Sequence, residues 1–240
     1  MAALSGVPTP DVKSLSVIVP VFNERATIAE IVRRMRRAEV PLIVEIVAVD
    51  DGSTDGSGEV LATLEDSTVR VIRHPINLGK GAAIRSALRV ATGDLVLIQD
   101  ADLEYDPDEW KRLIEPILKG KADVVYGSRF TGERRNMLPL HWVGNRALSL
   151  LTNVLYSTTL SDMETCYKLF RRSVLDQITL RGNRFDFEPE VTAKVLRAGY
   201  RIYEVPISYA GREVSEGKKI TWRDGVVAVW TLIRCRVGRW

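Results

Sequence analysis

Short, almost unbroken apolar runs alternate along this chain with longer stretches in which apolar residues recur every three or four positions. SLSVIVPVF, VEIVAVDD, VRVIRH, DLVLIQD and ADVVYGSR read as strands, the densest of them without polar alternation, as expected where both faces of a parallel sheet are covered. Between them the period changes to that of helices. Ile28, Ile31, Val32 and Met35 fall at i, i+3, i+4 and i+7, with Thr27 and Glu30 in capping-box spacing and Arg33, Arg34, Arg36 and Arg37 on a solvated side. Ile84, Ala87, Leu88 and Ala91 make a second stripe that stops at Gly93. A third helix is predicted from Asp106, with Pro107 in its first turn, a stripe of Trp110, Leu113, Ile114 and Ile117, and Pro116 placed to kink it.

After about Arg129 the rhythm changes. Residues 131–141 read as a polar loop, followed by a helix around Asn145 to Tyr156, a strand in ETCYKLF, a helix after Pro189 and the strand-like YRIYEVPISYA. Near the end, Thr221 and Asp224 can cap an amphipathic helix whose stripe is Val226, Val229, Trp230, Ile233 and Val237, with Arg234, Arg236, Arg239 and Trp240 gathered at its finish. That pattern suits packing onto the sheet and lying in a membrane interface equally. Strands alternating with helices predict a doubly wound α/β fold with its ligands beyond the carboxyl ends of the strands. No Gly-, Ser- or Pro-rich linker interrupts the chain, so residues 1–240 read as one domain with segments 14–130, 131–220 and 221–240.

Composition narrows the classes. A chain of 240 residues with 45% hydrophobic content has material for a sizeable core. Its 34 basic and 31 acidic residues leave a formal charge of +3, too balanced for nucleic-acid binding to be the main activity. Cys166 and Cys235 lie outside any CxxC or Cys/His spacing, which argues against a disulfide framework or a zinc site and for a reduced, cytoplasmic setting. The lead-in MAALSGVPTPDVK lacks a signal-peptide apolar run, and Gly225 to Ile233 falls short of the ~20 residues that a spanning helix needs.

The chemistry gathers at strand ends. Asp50 and Asp51 follow one strand; Asp100, Asp102 and, two positions later, Glu104 follow another. Buried carboxylates need cations or hydrogen-bond donors. A DxD pair can merely cap a helix, but its two carboxylates can also approach one hard divalent cation, with water and phosphate oxygens completing the shell. Its company favours the second reading. PVFNE places Asn23 and Glu24, which can read a base or ribose hydroxyl, at the same sheet edge, and DDGSTDGS offers a tight turn and a helix start. NLGKGAAIR sets Lys80 between glycines, for phosphate contact or as a solvated helix start. Neither GxxxxGK[ST] nor GxGxxG is present, which argues against NTPase and dinucleotide-oxidoreductase readings. His74 and His141 have no partner spacing and read as structural or surface residues.

VIVPVFNE, VDDGSTDGS, NLGKGAAIR, QDADLEYDP and GSRF, in that order, resemble the family 2 inverting glycosyltransferases of GT-A fold. The resemblance implies a Rossmann-like, mixed and mostly parallel sheet with helices on both faces, and residues 14–130 as the nucleotide-sugar and metal half. It also implies a nucleoside site lined by Pro20, Phe22, Asn23, Glu24, Val49 and Asp51, with Lys80 and Ala101 on the donor and Mg2+ or Mn2+ on Asp100 and Asp102. SDMETCYKLFRR, FDFEPEV and VPISYAGREVSEGKKITWRDG are similar to the dolichol-phosphate mannose synthase and bacterial polyprenyl-phosphate branch. There a residue two after DxD also approaches the metal; it is usually Gln, whereas this chain has Glu104.

That branch implies a polyprenyl-phosphate acceptor at the membrane surface, Arg129 near its phosphate, and Arg212 and Lys218 near the donor diphosphate. A lipid phosphate is already an anion, so its attack needs no strong general base; a soluble sugar hydroxyl would need one, for which Asp162 and Glu164 are available. Asp162 is equally suited to a structural role. A soluble acceptor and a non-catalytic sugar-nucleotide-binding protein are the competing readings. The expected setting is peripheral, on the cytoplasmic face of a membrane, with scope for a membrane-protein partner.

Overall fold

The computed structural model describes residues 12–135, 139–211 and 222–238. Three apolar runs build the first strands, β1 (Ser14–Val21), β2 (Ile43–Asp50) and β3 (Val69–Arg73), which pair in parallel, with Val17 opposite Ile46 and Ile46 opposite Val69. On the other side of β1 lies β4 (Leu95–Ile98), also parallel, with Val17 opposite Leu97. The full sheet runs β3-β2-β1-β4-β7-β5-β8, with β5 (Val124–Ser128), β7 (Lys168–Arg171) and β8 (Ile202–Pro206). Only β7 is antiparallel to its neighbours β4 and β5, so the sheet is mixed and mostly parallel.

Helices α1 (Ile28–Arg37), α2 (Ser57–Leu64), α3 (Lys80–Leu88) and α4 (Trp110–Leu118) connect the early strands. In α1 the predicted stripe of Ile28, Ile31, Val32 and Met35 is buried. The capping box is not formed: Thr27 Oγ1 donates to the Glu24 carbonyl and to Glu24 Oε2, while Glu30 takes Arg33 and Arg34. Two arginines one turn away outcompete a backbone N–H for that carboxylate. A 3-10 turn at Pro107–Glu109, with the Asp106 side chain accepting from Asp108 N, precedes α4. Pro116 falls two residues before the end of α4.

The later chain adds a two-stranded sheet of β6 (Arg134–Arg135) and β9 (Tyr209–Ala210), and helices α5 (Pro139–Tyr156), α6 (Arg172–Leu175), α7 (Phe187–Arg197) and α8 (Trp222–Val237). The polar loop expected over 131–141 therefore contains a short strand, and α5 starts six residues earlier than the apolar period indicates. Met163, Ala193, Leu232 and Cys235 form a small core of their own, with Leu148, Leu151 and Leu155 against it. Arg236 Nε donates to the Leu155 carbonyl at 2.8 Å and Tyr156 OH to the Leu232 carbonyl at 2.7 Å, tying the ends of α5 and α8 together.

Helix α8 does not pack with the stripe that the sequence suggests. Ala228, Leu232 and Cys235 are its buried apolar residues, whereas Val226, Trp230, Ile233 and Val237 are exposed, Trp230 at 62%. Leu232 and Cys235 join Met163 and Ala193 in the small core, with Leu148, Leu151 and Leu155 of α5 against it.

Candidate active site

A cavity of about 750 Å³ lies at the carboxyl ends of β1, β2 and β4. This is the crevice that a doubly wound sheet opens where strand order reverses, here with β2 on one side of β1 and β4 on the other.

Gln99 fixes the end of β4. Its Oε1 accepts from Trp110 Nε1 at 3.0 Å and from Tyr167 OH at 2.7 Å, and its Nε2 donates to the Asp100 carbonyl at 3.2 Å. All three aromatic and amide side chains are buried, so the chain leaves the strand in one direction and Asp100, Ala101 and Asp102 all line the cavity. Asp102 Oδ1 accepts from Glu104 N at 3.1 Å, an Asx-turn that keeps the segment tight.

The loops after β1 and β2 are joined to each other. Asn23 N donates to Ser53 Oγ at 3.0 Å, Thr54 N to Asn23 Oδ1 at 2.8 Å, Glu24 N to Ser57 Oγ at 2.8 Å and Arg25 N to Asp55 Oδ2 at 3.0 Å. Asn23 adopts φ +53°, a left-handed conformation that Asn tolerates. Asp51 anchors the third loop: Oδ1 accepts from Leu78 N at 3.0 Å, Oδ2 from Gly79 N at 2.7 Å, and His74 Nδ1 lies 2.7 Å from Oδ1. His74 Nε2 is also 2.9 Å from Ser86 Oγ, which makes this histidine a strut.

Lys80 points inward. Its ammonium lies 2.9 Å from Asp100 Oδ1 and 2.8 Å from Glu188 Oε1. Burial opposes its charge, but Asp100, Cys166 and Glu188 outweigh that and hold its pKa well above the ordinary lysine value. The solvated helix start is thus not its environment. Glu188 Oε2 is buried and has no hydrogen-bond partner among the described residues.

Just past the end of β5, Arg129 is gripped by Asp162. Nε and Nη2 reach Asp162 Oδ2 and Oδ1 at 2.7 and 2.8 Å, and Arg129 N donates to Oδ2 at 3.0 Å. Arg129 lines the cavity; Asp162 is fully buried and does not. Ser161 N and Asp162 N in turn donate to Glu204 on β8. Tyr209 lies under the guanidinium, 5.3 Å from ring centroid to Cζ. Glu164 lines the cavity too. Burial pushes its carboxyl up to about 8, with Glu188 adding to the rise and Lys168 and Arg129 opposing it.

Of the residues expected from sequence, Pro20, Phe22, Glu24, Asp51, Lys80, Ala101, Asp100, Asp102, Glu104 and Arg129 are brought to one cavity. Asn23 is not, because its side chain bridges two loops; Val49 is fully buried within β2. Arg212 and Lys218 lie outside the described residues. Glu104 Oε2 accepts from Tyr209 OH at 2.9 Å, and among the described residues no three His, Cys, Asp or Glu side chains gather as a metal cluster. Two carboxylates suffice for Mg2+ or Mn2+ when waters and phosphate oxygens fill the other positions, so the oxygen donors of Asp100 and Asp102 fit such a cation. Glu188, Tyr209 and His141 also line the cavity. For Glu188 the available signal is FDFEPE, whose three acidic residues, Asp186, Glu188 and Glu190, flank the start of the helix predicted after Pro189.

A mixed, mostly parallel sheet with paired carboxylates facing a cavity at its strand ends is the GT-A arrangement of a sugar-nucleotide-dependent glycosyltransferase. Residues 16–179 match the profile described as "Glycosyl transferase family 2", and the chain belongs to that family. Among its curated relatives, the undecaprenyl-phosphate 4-deoxy-4-formamido-L-arabinose transferase of Aeromonas hydrophila is 31% identical over 87% of this chain and 63% of its own length. The low-salt glycan biosynthesis hexosyltransferase of Haloferax volcanii is 32% identical over 88% of this chain and 51% of its length. For the polyprenol monophosphomannose synthase of Mycolicibacterium smegmatis the identity is 32%, over 84% and 79%. The chain thus spans under two thirds of the first two. Among solved structures, glucosyl-3-phosphoglycerate synthase of Mycobacterium tuberculosis in complex with Mn2+, UDP and glucosyl-3-phosphoglycerate shares the fold. Its TM-score is 0.74 at 20% identity, over 94% of this chain and 81% of that one.

Proposed function

We propose that this protein transfers a hexose from a nucleotide sugar of the GDP-mannose or UDP-glucose type to a polyprenyl or dolichyl phosphate, inverting the anomeric centre. The observation that carries the proposal is one cavity lined by Asp100 and Asp102, by an Asp162-backed Arg129, by Gly144 and Leu148 of α5 and by Gly225 and Ala228 of α8. The outer sides of those two helices expose Trp142, Val143, Leu150, Val154, Val226 and Trp230. The names of two relatives, an undecaprenyl-phosphate transferase and a polyprenol monophosphomannose synthase, agree with such an acceptor.

In this reading Asp100 and Asp102 hold Mg2+ or Mn2+, which supplies positive charge to the leaving nucleoside diphosphate. Pro20, Phe22, Glu24 and Asp51 wall the nucleoside. Arg129 orients the acceptor phosphate, and Asp162 keeps the guanidinium in one plane and position. A phosphate oxygen is already anionic at neutral pH, so positioning and charge stabilisation carry the reaction and no strong base is required. Residues 14–130 form the nucleotide-sugar and metal half, with Arg129 at its end turned to the acceptor, and 131–220 the acceptor half of one catalytic unit.

No helix among the described residues is long and apolar enough to cross a membrane. In this proposal the exposed apolar side chains of α5 and α8, with Arg234 and Arg236 beside them, rest peripherally on the cytoplasmic leaflet, with scope for a membrane-protein partner. Incubation with labelled GDP-mannose or UDP-glucose, polyprenyl phosphate and Mn2+ is expected to move label into the chloroform phase. A labelled product confined to water would favour a soluble acceptor, and no transfer from a panel of donors would overturn the proposal.

A further inference from the structure

Lys80 is held too firmly to be an ordinary flexible lysine. It opens α3 behind Gly79, whose φ is +101° and which lies against the backbone of Asn183 so closely that no Cβ fits; Gly81 approaches Gly182 in the same way. Ala82 N donates to the Asn183 carbonyl at 3.0 Å and Arg85 Nη2 to Asn183 Oδ1 at 2.6 Å. That supporting loop is itself pinned by Glu190, which accepts from Arg181 N at 2.9 Å and Gly182 N at 2.7 Å. Glu188 and Glu190 both belong to the first turn of α7. One helical turn therefore carries the second ion-pair partner of Lys80 and the anchor of the loop on which Lys80 rests.

We infer that Lys80 competes with a divalent cation for Asp100, with Glu188 as its alternative partner, and so couples binding of the metal to binding of the nucleotide diphosphate. The inference rests on the proposal that Asp100 and Asp102 hold the metal. An ammonium 2.9 Å from Asp100 Oδ1 repels a second cation approaching the same carboxylate. A diphosphate relieves that repulsion by bringing negative charge to both cations. Glu188, 2.8 Å away, keeps the ammonium compensated while Asp100 turns to the metal. The coupling is reciprocal, so the metal strengthens nucleotide binding by the same factor.

The test is Mn2+ binding to the full chain, read by electron paramagnetic resonance, with and without GDP or UDP. Lys80→Met is expected to tighten Mn2+ binding in the absence of nucleotide by about tenfold and to shrink the gain that nucleotide brings. Glu188→Gln, which commits the ammonium to Asp100, is expected to weaken Mn2+ alone and enlarge that gain. Lys80→Arg, which keeps the charge, should stay near wild type. A disrupted site would weaken Mn2+ in both Lys80→Met and Glu188→Gln; shifts in the same direction, or no shift with Lys80→Met, overturn the inference. If wild type binds no Mn2+ even with nucleotide, the metal-site proposal itself fails, a separate outcome.

Discussion

Arg129 and Glu164 show how much of this site depends on residues that compensate one another. Asp162 supplies both oxygens to a buried guanidinium, so Asp162→Ala leaves an uncompensated charge. Such losses cost about 3–5 kcal/mol, and a lowered urea midpoint together with lost transfer is the expected result; Asp162→Asn, which retains one acceptor, should lose less stability. Glu164 makes a prediction with a definite sign. Its native carboxyl, raised from 4.5 to about 8 chiefly by burial, keeps a proton that the unfolded chain releases. Stability therefore falls as pH rises from the ordinary carboxyl range to about 8. Glu164→Gln should flatten that dependence, seen as urea midpoints that change less than wild type between pH 5.5 and pH 8.

At the scale of elements, the DxD pair depends on how β4 ends. Gln99→Leu keeps the volume but leaves Trp110 Nε1 and Tyr167 OH without their shared acceptor. Two buried donors left unmade cost about 2 kcal/mol or more, so denaturant unfolding should register the loss, and Mn2+ affinity should fall because Asp100 and Asp102 are no longer presented in one direction. Much of this architecture was legible in the sequence. Unbroken apolar strands, a 3.6-residue period and acidic strand ends identify β1 to β5, α1, α3, α4 and the cavity edge from local patterns alone, while for α2 the sequence offers only a helix start in DDGSTDGS. What was not legible depends on partners distant in the chain. The capping box at Thr27 fails because Glu30 has arginines at both i+3 and i+4. Asn23 and Asp51 face neighbouring loops through backbone donors that no sequence pattern announces, and Lys80 reaches Glu188 over a hundred residues away. In α8 the period marks the stripe of Val226, Val229, Trp230, Ile233 and Val237, whereas the side chains buried in the small core that α8 shares with α5 and α7 are Leu232 and Cys235, a choice made by partners distant in the chain.

At the scale of the molecule, Asp100 and Asp102 line a cavity at the carboxyl ends of the strands and an apolar surface is turned outward on α5 and α8. Trp230→Ser and Ile233→Ser remove exposed side chains, so folding stability should change by no more than about 0.5 kcal/mol. Flotation with anionic vesicles should nevertheless show weaker binding than wild type; unchanged flotation would remove α8 from the membrane account. The central claim is that the carboxylates of Asp100 and Asp102 make this cavity a metal-dependent site for a nucleoside diphosphate. Calorimetric titration of GDP and of UDP, with and without Mn2+, tests it most directly. The predicted result is that one nucleotide binds at least about tenfold more tightly with Mn2+, a difference of about 1.4 kcal/mol, and that Asp100→Asn and Asp102→Asn abolish the gain. Equal binding with and without Mn2+, or a gain that survives both substitutions, would contradict it.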